Sequence, residues 1–154
     1  MTIAVDFDGT IVEHRYPEIG EEIPLAIHTL LQLQADHHVL ILWTVRRGRL
    51  LQEAIDYCRR RGLEFYAVNA NYPGEPAADL ATDDDGQKAE VSPSCRKITA
   101  DVYIDDRSLG GLPDWGVIYE LIHGHHSLAG YYRHLYTHKP ASKPSLWKRL
   151  LGGK

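Results

Sequence analysis

The sequence predicts an α/β fold with a parallel sheet, on three observations. Short apolar runs alternate along the chain with stripes of helical period. The run His38–Trp43 (HVLILW) is apolar throughout, as in a strand covered on both faces. Acidic or hydroxyl residues follow several of these runs directly, where an open parallel sheet places its ligands.

Taken in order, Thr2–Phe7 (TIAVDF) reads as a first strand. From Ile23 to about Asp36 the apolar residues Ile23, Ala26, Ile27, Leu30 and Leu33 recur at helical spacing, with Pro24 suited to a first turn. After the strand at 38–43, Leu50, Leu51, Ala54, Ile55 and Cys58 make a second helical stripe. Arg59, Arg60 and Arg61 complement the dipole at its end and Gly62 stops it. Strands are expected at 64–68 and 101–104, and a last one near 117–119. The 28 residues 69–96 hold three prolines, two glycines and six acids, so they read as either a lid or a disordered excursion.

A length of 154 residues, 44% hydrophobic and 25% charged, suits one globular domain. The longest apolar stretch is far short of the roughly 20 residues a membrane-crossing helix needs, so no membrane span is expected. Cys58 and Cys95 form no CxxC pair, and Asp6 and Asp8 stand where a signal peptide would be basic and then apolar. A reducing, cytoplasmic setting fits, and no feature points to nucleic acid. The net charge of −4 hides a split: residues 1–120 carry −10 and residues 121–154 carry +6. The basic tail 139–154 is expected to be flexible.

The first strand ends in Asp6 and Asp8, with Gly9 and Thr10 following. Thr44 closes the second, and Asp105 and Asp106 close the strand at 101–104, with Lys97 just upstream. Alternation along a strand puts Asp6 and Asp8 on one face and Phe7 on the other. Carboxylates crowded in this way repel unless a cation holds them together, and a hard divalent ion takes oxygen ligands. Arg46 and Arg47, next to Thr44, are expected at the rim of the site, with Arg46 contacting substrate.

These elements, DFDGT at Asp6–Thr10, Thr44 in LILWT, Lys97 and Asp105–Asp106 in VYIDD, resemble the haloacid dehalogenase (HAD) superfamily of phosphohydrolases in content and order over residues 6–106. The chain is most similar to small bacterial members of undefined substrate, and LWTVR and IDDR are similar to the deoxynucleotidase branch. The resemblance implies a three-layer, Rossmann-like parallel sheet with helices on both faces. It implies a Mg2+-dependent phosphatase acting on phosphomonoesters, with Asp6 as the nucleophile that forms an aspartyl-phosphate and Asp8 as general acid and base. Thr44 and Lys97 would hold phosphoryl oxygens. Mg2+ would be held by Asp6, the Asp8 carbonyl and an acid of the last pair, with Asp106 favoured over Asp105.

Relatives often carry a cap domain. Residues 11–22 are too few for one here, so the expected catalytic domain, 1–138, has at most a minimal lid at 69–96. Its open site would take a large phosphorylated substrate or be completed by a second copy of the chain. Two rival readings are a receiver-like phosphoacceptor and a catalytically idle scaffold.

Overall fold

The computed structural model describes residues 1–75, 97–124, Gly130 and Arg133. It has four strands, β1 (Thr2–Val5), β2 (Val39–Leu42), β3 (Ala67–Val68) and β4 (Val102–Ile104). Three helices are present, α1 (Ala26–Ala35), α2 (Gly48–Arg59) and α3 (Trp115–His123). The sheet order is β3-β2-β1-β4 and every pairing is parallel. This is the predicted α/β, Rossmann-like layout, and among the described residues there is no cap domain. The candidate lid beyond residue 75 and the basic tail lie outside the described residues.

The apolar runs form strands because both of their faces are covered: Ile3, Ala4, Val5, Ile41 and Leu42 are wholly buried. Helix α1 turns Ala26, Ile27, Leu30 and Leu33 inward, and α2 buries Ala54, Tyr57 and Cys58. The chain runs β1, β2, β3 in one direction across the sheet and then returns to place β4 on the other side of β1. That reversal makes the carboxyl ends of β1 and β4 a topological switch point, where a crevice opens.

Several boundaries differ from the sequence reading. Leu25 adopts a left-handed φ of 67°, so Pro24 lies in the turn before α1 and not in its first turn. The strand expected at 64–68 is paired only at Ala67–Val68. The strand expected near 117–119 is wrong: that segment lies in α3. Trp115, Ile118 and Ile122 are the buried positions there, a spacing of three and four that fits a helix, and Asp114 caps its start by accepting from Gly116 N at 2.8 Å. The basic end of α2 is a solvated helix terminus, as expected. Gly62 closes it at φ 81°, Arg59 pairs with Asp56, and Arg61 pairs with Glu22 while lying 3.6 Å over the Tyr57 ring.

The chain divides into two compact units, Met1–Gly116 and Val117–Lys154. The first contains the whole sheet. In the second, Tyr119 stacks on His123 at 5.5 Å.

Ile41 sits in a core cluster with Ala67 and Ile98. Ile41→Ala is expected to lower the unfolding free energy by about 2–5 kcal/mol. Val39→Ala, on the same strand but 36% exposed, is expected to cost less than about 1 kcal/mol. Urea denaturation followed by circular dichroism measures both.

Candidate active site

The site forms where β1 and β4 end side by side. Their register pairs Val5 with Ile104, and Asp6 N donates to Ile104 O at 3.0 Å, so Asp6 leaves the sheet level with Asp105 and Asp106. Oxygens of these three carboxylates lie within 4.8 Å of one another. The turn after Asp6 makes this approach possible. Gly9 has φ 89°, and a Cβ there would stand 2.7 Å from Asp106 Cγ and closer still to Oδ2. Only glycine suits both the conformation and the space.

Thr10 fastens the two strand ends together. Its buried hydroxyl accepts from Asp106 N at 3.0 Å and donates, at a long 3.4 Å, to Asp6 Oδ2. Its carbonyl accepts from the indole of Trp115 at 3.1 Å. Trp115 is a buried prop behind the DFDGT turn.

Burial, and then the neighbouring carboxylates of Asp105, Asp106 and Asp8, push the Asp6 carboxyl up to about 7. Asp106 is also raised, by burial first and then by Asp105. Asp106 Oδ1 is buried and has no hydrogen-bond partner. An orphaned carboxylate oxygen beside two further carboxylates is the donor set a hard divalent cation takes, so Asp6, Asp105 and Asp106 fit such an ion.

A cavity of about 360 Å3 opens over these acids. Asp6, Asp8, Thr44 and Asp105 line it, and His14, Tyr16, Trp43, Val45 and Arg107 supply the rest of its wall. Phe7 points away into the core, edge-on to Tyr57, as strand alternation requires. Lys97 is exposed and lines a neighbouring cleft that shares Trp43, Asp105 and Arg107 with the first.

Thr44 is held from behind by a residue the sequence reading passed over. Asn69, directly after β3, has a left-handed φ of 49°. Its Oδ1 accepts from Thr44 N at 2.8 Å and its Nδ2 donates to Thr44 O at 2.8 Å, so one amide grips both backbone groups of the Thr44 peptide. Asparagine tolerates the left-handed region better than other residues with a side chain.

Arg46 is not at the rim. It is wholly buried, with Nε donating to Asp8 Oδ2 at 2.6 Å and Nη2 to Asp8 Oδ1 at 2.7 Å. Arg47 beside it is exposed. His14, Tyr16, Trp43, Val45 and Arg107 in the wall, and Thr10 and Asn69 behind it, were missed as site residues in the sequence.

Asn69→Gly keeps the left-handed backbone and removes the clamp. It is expected to destabilise the fold by about 1–3 kcal/mol, read by urea denaturation. A second prediction follows from Asp6. A carboxyl raised from 3.8 to about 7 keeps, in the folded chain, a proton that the unfolded chain has lost. Stability should therefore fall as pH rises from about 4 to 7 and level off above that. Asp6→Asn removes this contribution, so its Tm should exceed the wild type by on the order of 10 °C at pH 8 and match it near pH 4. Scanning calorimetry across that range, without divalent cations, measures the difference.

No family model matches the chain, and no curated protein matches it. The chain is similar to a solved structure of a conserved protein coded by a locus in Bacteroides thetaiotaomicron, at 55% identity and a TM-score of 0.70. The match covers 86% of this chain and 97% of the other. Identity and coverage at this level reach beyond a shared fold, and the chain belongs to the family of that conserved protein.

Proposed function

We propose that this protein is a phosphatase of the HAD type, hydrolysing phosphomonoesters with Mg2+ through an aspartyl-phosphate on Asp6. The observation that carries the reading is the convergence of Asp6, Asp8, Thr44 and Asp105 on one cavity at the switch point, with the partnerless oxygen of Asp106 in the carboxylate cluster beside it.

In this reaction a carboxylate oxygen of Asp6 attacks phosphorus, the bond from phosphorus to the ester oxygen breaks, and Asp8 gives a proton to the departing oxygen. Asp8 then takes a proton from water as that water attacks the phosphoryl group, which releases phosphate and restores Asp6. The Thr44 hydroxyl and the Lys97 ammonium hold phosphoryl oxygens as charge redistributes, Lys97 reaching in on its flexible stem. Asp6, the Asp8 main-chain carbonyl and Asp106 would hold Mg2+, with Asp105 supporting Asp106; the ion supplies positive charge that keeps Asp6 ionised and polarises the phosphoryl group. That charge matters because Asp6 alone titrates at about 7 and must be anionic to attack.

No helix among the described residues is long and apolar enough to cross a membrane. Cys58 is a free, buried thiol pushed up to about 12 by burial, an unreactive core residue that fits the proposed cytoplasmic setting.

The test is phosphate release from p-nitrophenyl phosphate and a panel of phosphorylated metabolites, with Mg2+ or with a chelator. Wild type should turn over only with Mg2+, Asp6→Asn should be inactive, and Asp8→Asn should lose roughly 10²–10⁴-fold. Undiminished release by Asp6→Asn, or release that ignores the chelator, would sink the mechanism. A phosphoenzyme that forms from a small donor and barely turns over indicates a receiver-like phosphoacceptor. Inertness toward every phosphate ester indicates a scaffold.

A further inference from the structure

An arginine with no exposed surface is uncommon, and each of its donors must find a partner. In Arg46 the guanidinium forks onto both oxygens of Asp8 and also donates to Pro17 O from Nη1 at 3.0 Å and to Glu18 O from Nη2 at 2.8 Å. Its Cζ lies 5.1 Å from the Phe7 ring centroid and 5.4 Å from that of Tyr16. Its own backbone N–H donates to Thr44 Oγ1 at 3.2 Å. One residue thus ties together the second acid of the DFDGT turn, the strand-end threonine, and the segment carrying Tyr16.

We propose that Arg46 is a positioning residue that fixes the Asp8 carboxylate for proton transfer and, through the same guanidinium, anchors the 16–18 segment that walls the substrate cavity. The inference rests on the phosphatase reading and deepens it. Two alternatives account less well for the geometry. As a substrate ligand, Arg46 would need donors facing the cavity, yet four of its five N–H donors go to protein oxygens and its side chain is wholly buried. As a purely structural group it would be a poor choice, because a buried ion pair is often no more stabilising than apolar side chains of the same volume. A two-point fork does something that apolar packing does not. It prevents the carboxylate from rotating, and because each carboxylate oxygen has two lone-pair sites, it still leaves one on each oxygen for a proton moving to or from the cavity. Lysine makes no such fork. Misplacing a catalytic group by about 1 Å can cost 10²-fold in rate.

The experiment compares two leaving groups in wild type, Arg46→Lys and Asp8→Asn. An alkyl phosphate needs its departing oxygen protonated, whereas p-nitrophenyl phosphate leaves as a stable phenolate and needs little help. If Arg46 acts through Asp8, Arg46→Lys should lose about 10²-fold in kcat/KM on the alkyl ester and about threefold or less in kcat/KM on the aryl ester. That ratio reports only the steps through departure of the leaving group, before the water step in which Asp8 serves both esters alike. Asp8→Asn should show the same pattern in kcat/KM, while its kcat falls on both esters because the water step needs the same carboxylate. Equal losses in kcat/KM on both esters, or a raised KM with kcat retained, would overturn the assignment of Arg46 while leaving the phosphatase reading intact. A wild type that cleaves neither ester overturns the phosphatase reading itself, and with it this inference.

Should Arg46→Lys not fold, the wild-type chain gives a second measurement. With Mg2+ and inorganic phosphate added, the Arg46 Nε–H resonance should keep its shift and its slow exchange with water. In Asp8→Asn, which removes the paired carboxylate, it should exchange at least tenfold faster. A wild-type resonance that moves on phosphate addition marks Arg46 as a ligand for phosphate and overturns the proposal.

Discussion

Three half-buried carboxylates whose oxygens lie within 4.8 Å are the constraint around which the rest of this structure is arranged. Left alone, like charges this close would swing apart or pull in water. The parallel register of β1 and β4 prevents the first, since it ends both strands at the same level and ties Asp6 N to Ile104 O. Thr10 bridges the two ends with one hydroxyl, and the missing side chain of Gly9 lets Asp106 come close. The raised pKa of Asp6 records what this confinement costs. The folding energy of the sheet is what holds the acids together.

Support for the other site residues follows a common plan, in which a polar side chain outside the cavity grips a group that faces it. Asn69 holds the Thr44 peptide through two neutral hydrogen bonds, and Arg46 holds Asp8 through two charged ones. Both devices are individually unfavourable, one requiring a left-handed residue with a side chain and the other a buried charge pair. Both stand directly behind cavity-lining residues. Elsewhere the interior of the sheet is apolar, with the strand residues Ile3, Val5, Ile41 and Leu42 wholly buried.

The parallel sheet was legible because doubly covered strands leave continuous apolar runs, and the acids were legible because they follow those runs. What failed had physical reasons. Residues 117–119 are apolar in a short window, but the longer spacing of Trp115, Ile118 and Ile122 is helical. Arg46 and Arg47 look alike in sequence, yet one is wholly buried and the other exposed. Their difference depends on Asp8, 38 residues upstream, and on the carbonyls of Pro17 and Glu18. Asn69 carries no signature because its role is to be close to Thr44 in space, across the pairing of β2 with β3.

These supports bear on what an open site requires. In the proposed reaction the phosphoryl group lies over the acids, and the leaving group meets the wall that includes Tyr16 and Trp43. Where a separate cap domain covers a site, substrate contacts and proton transfer can be divided between two bodies. Here the segment bearing Tyr16 and the carboxylate of Asp8 hang from the same guanidinium. In the proposed reaction, a shift of that segment on binding a larger or smaller leaving group would be transmitted directly to Asp8. Selectivity in such a site is expressed in turnover as well as in affinity, since a poorly fitting leaving group displaces the group that must protonate it. In the proposed reaction, one buried arginine would in this way couple the fit of the leaving group to its protonation.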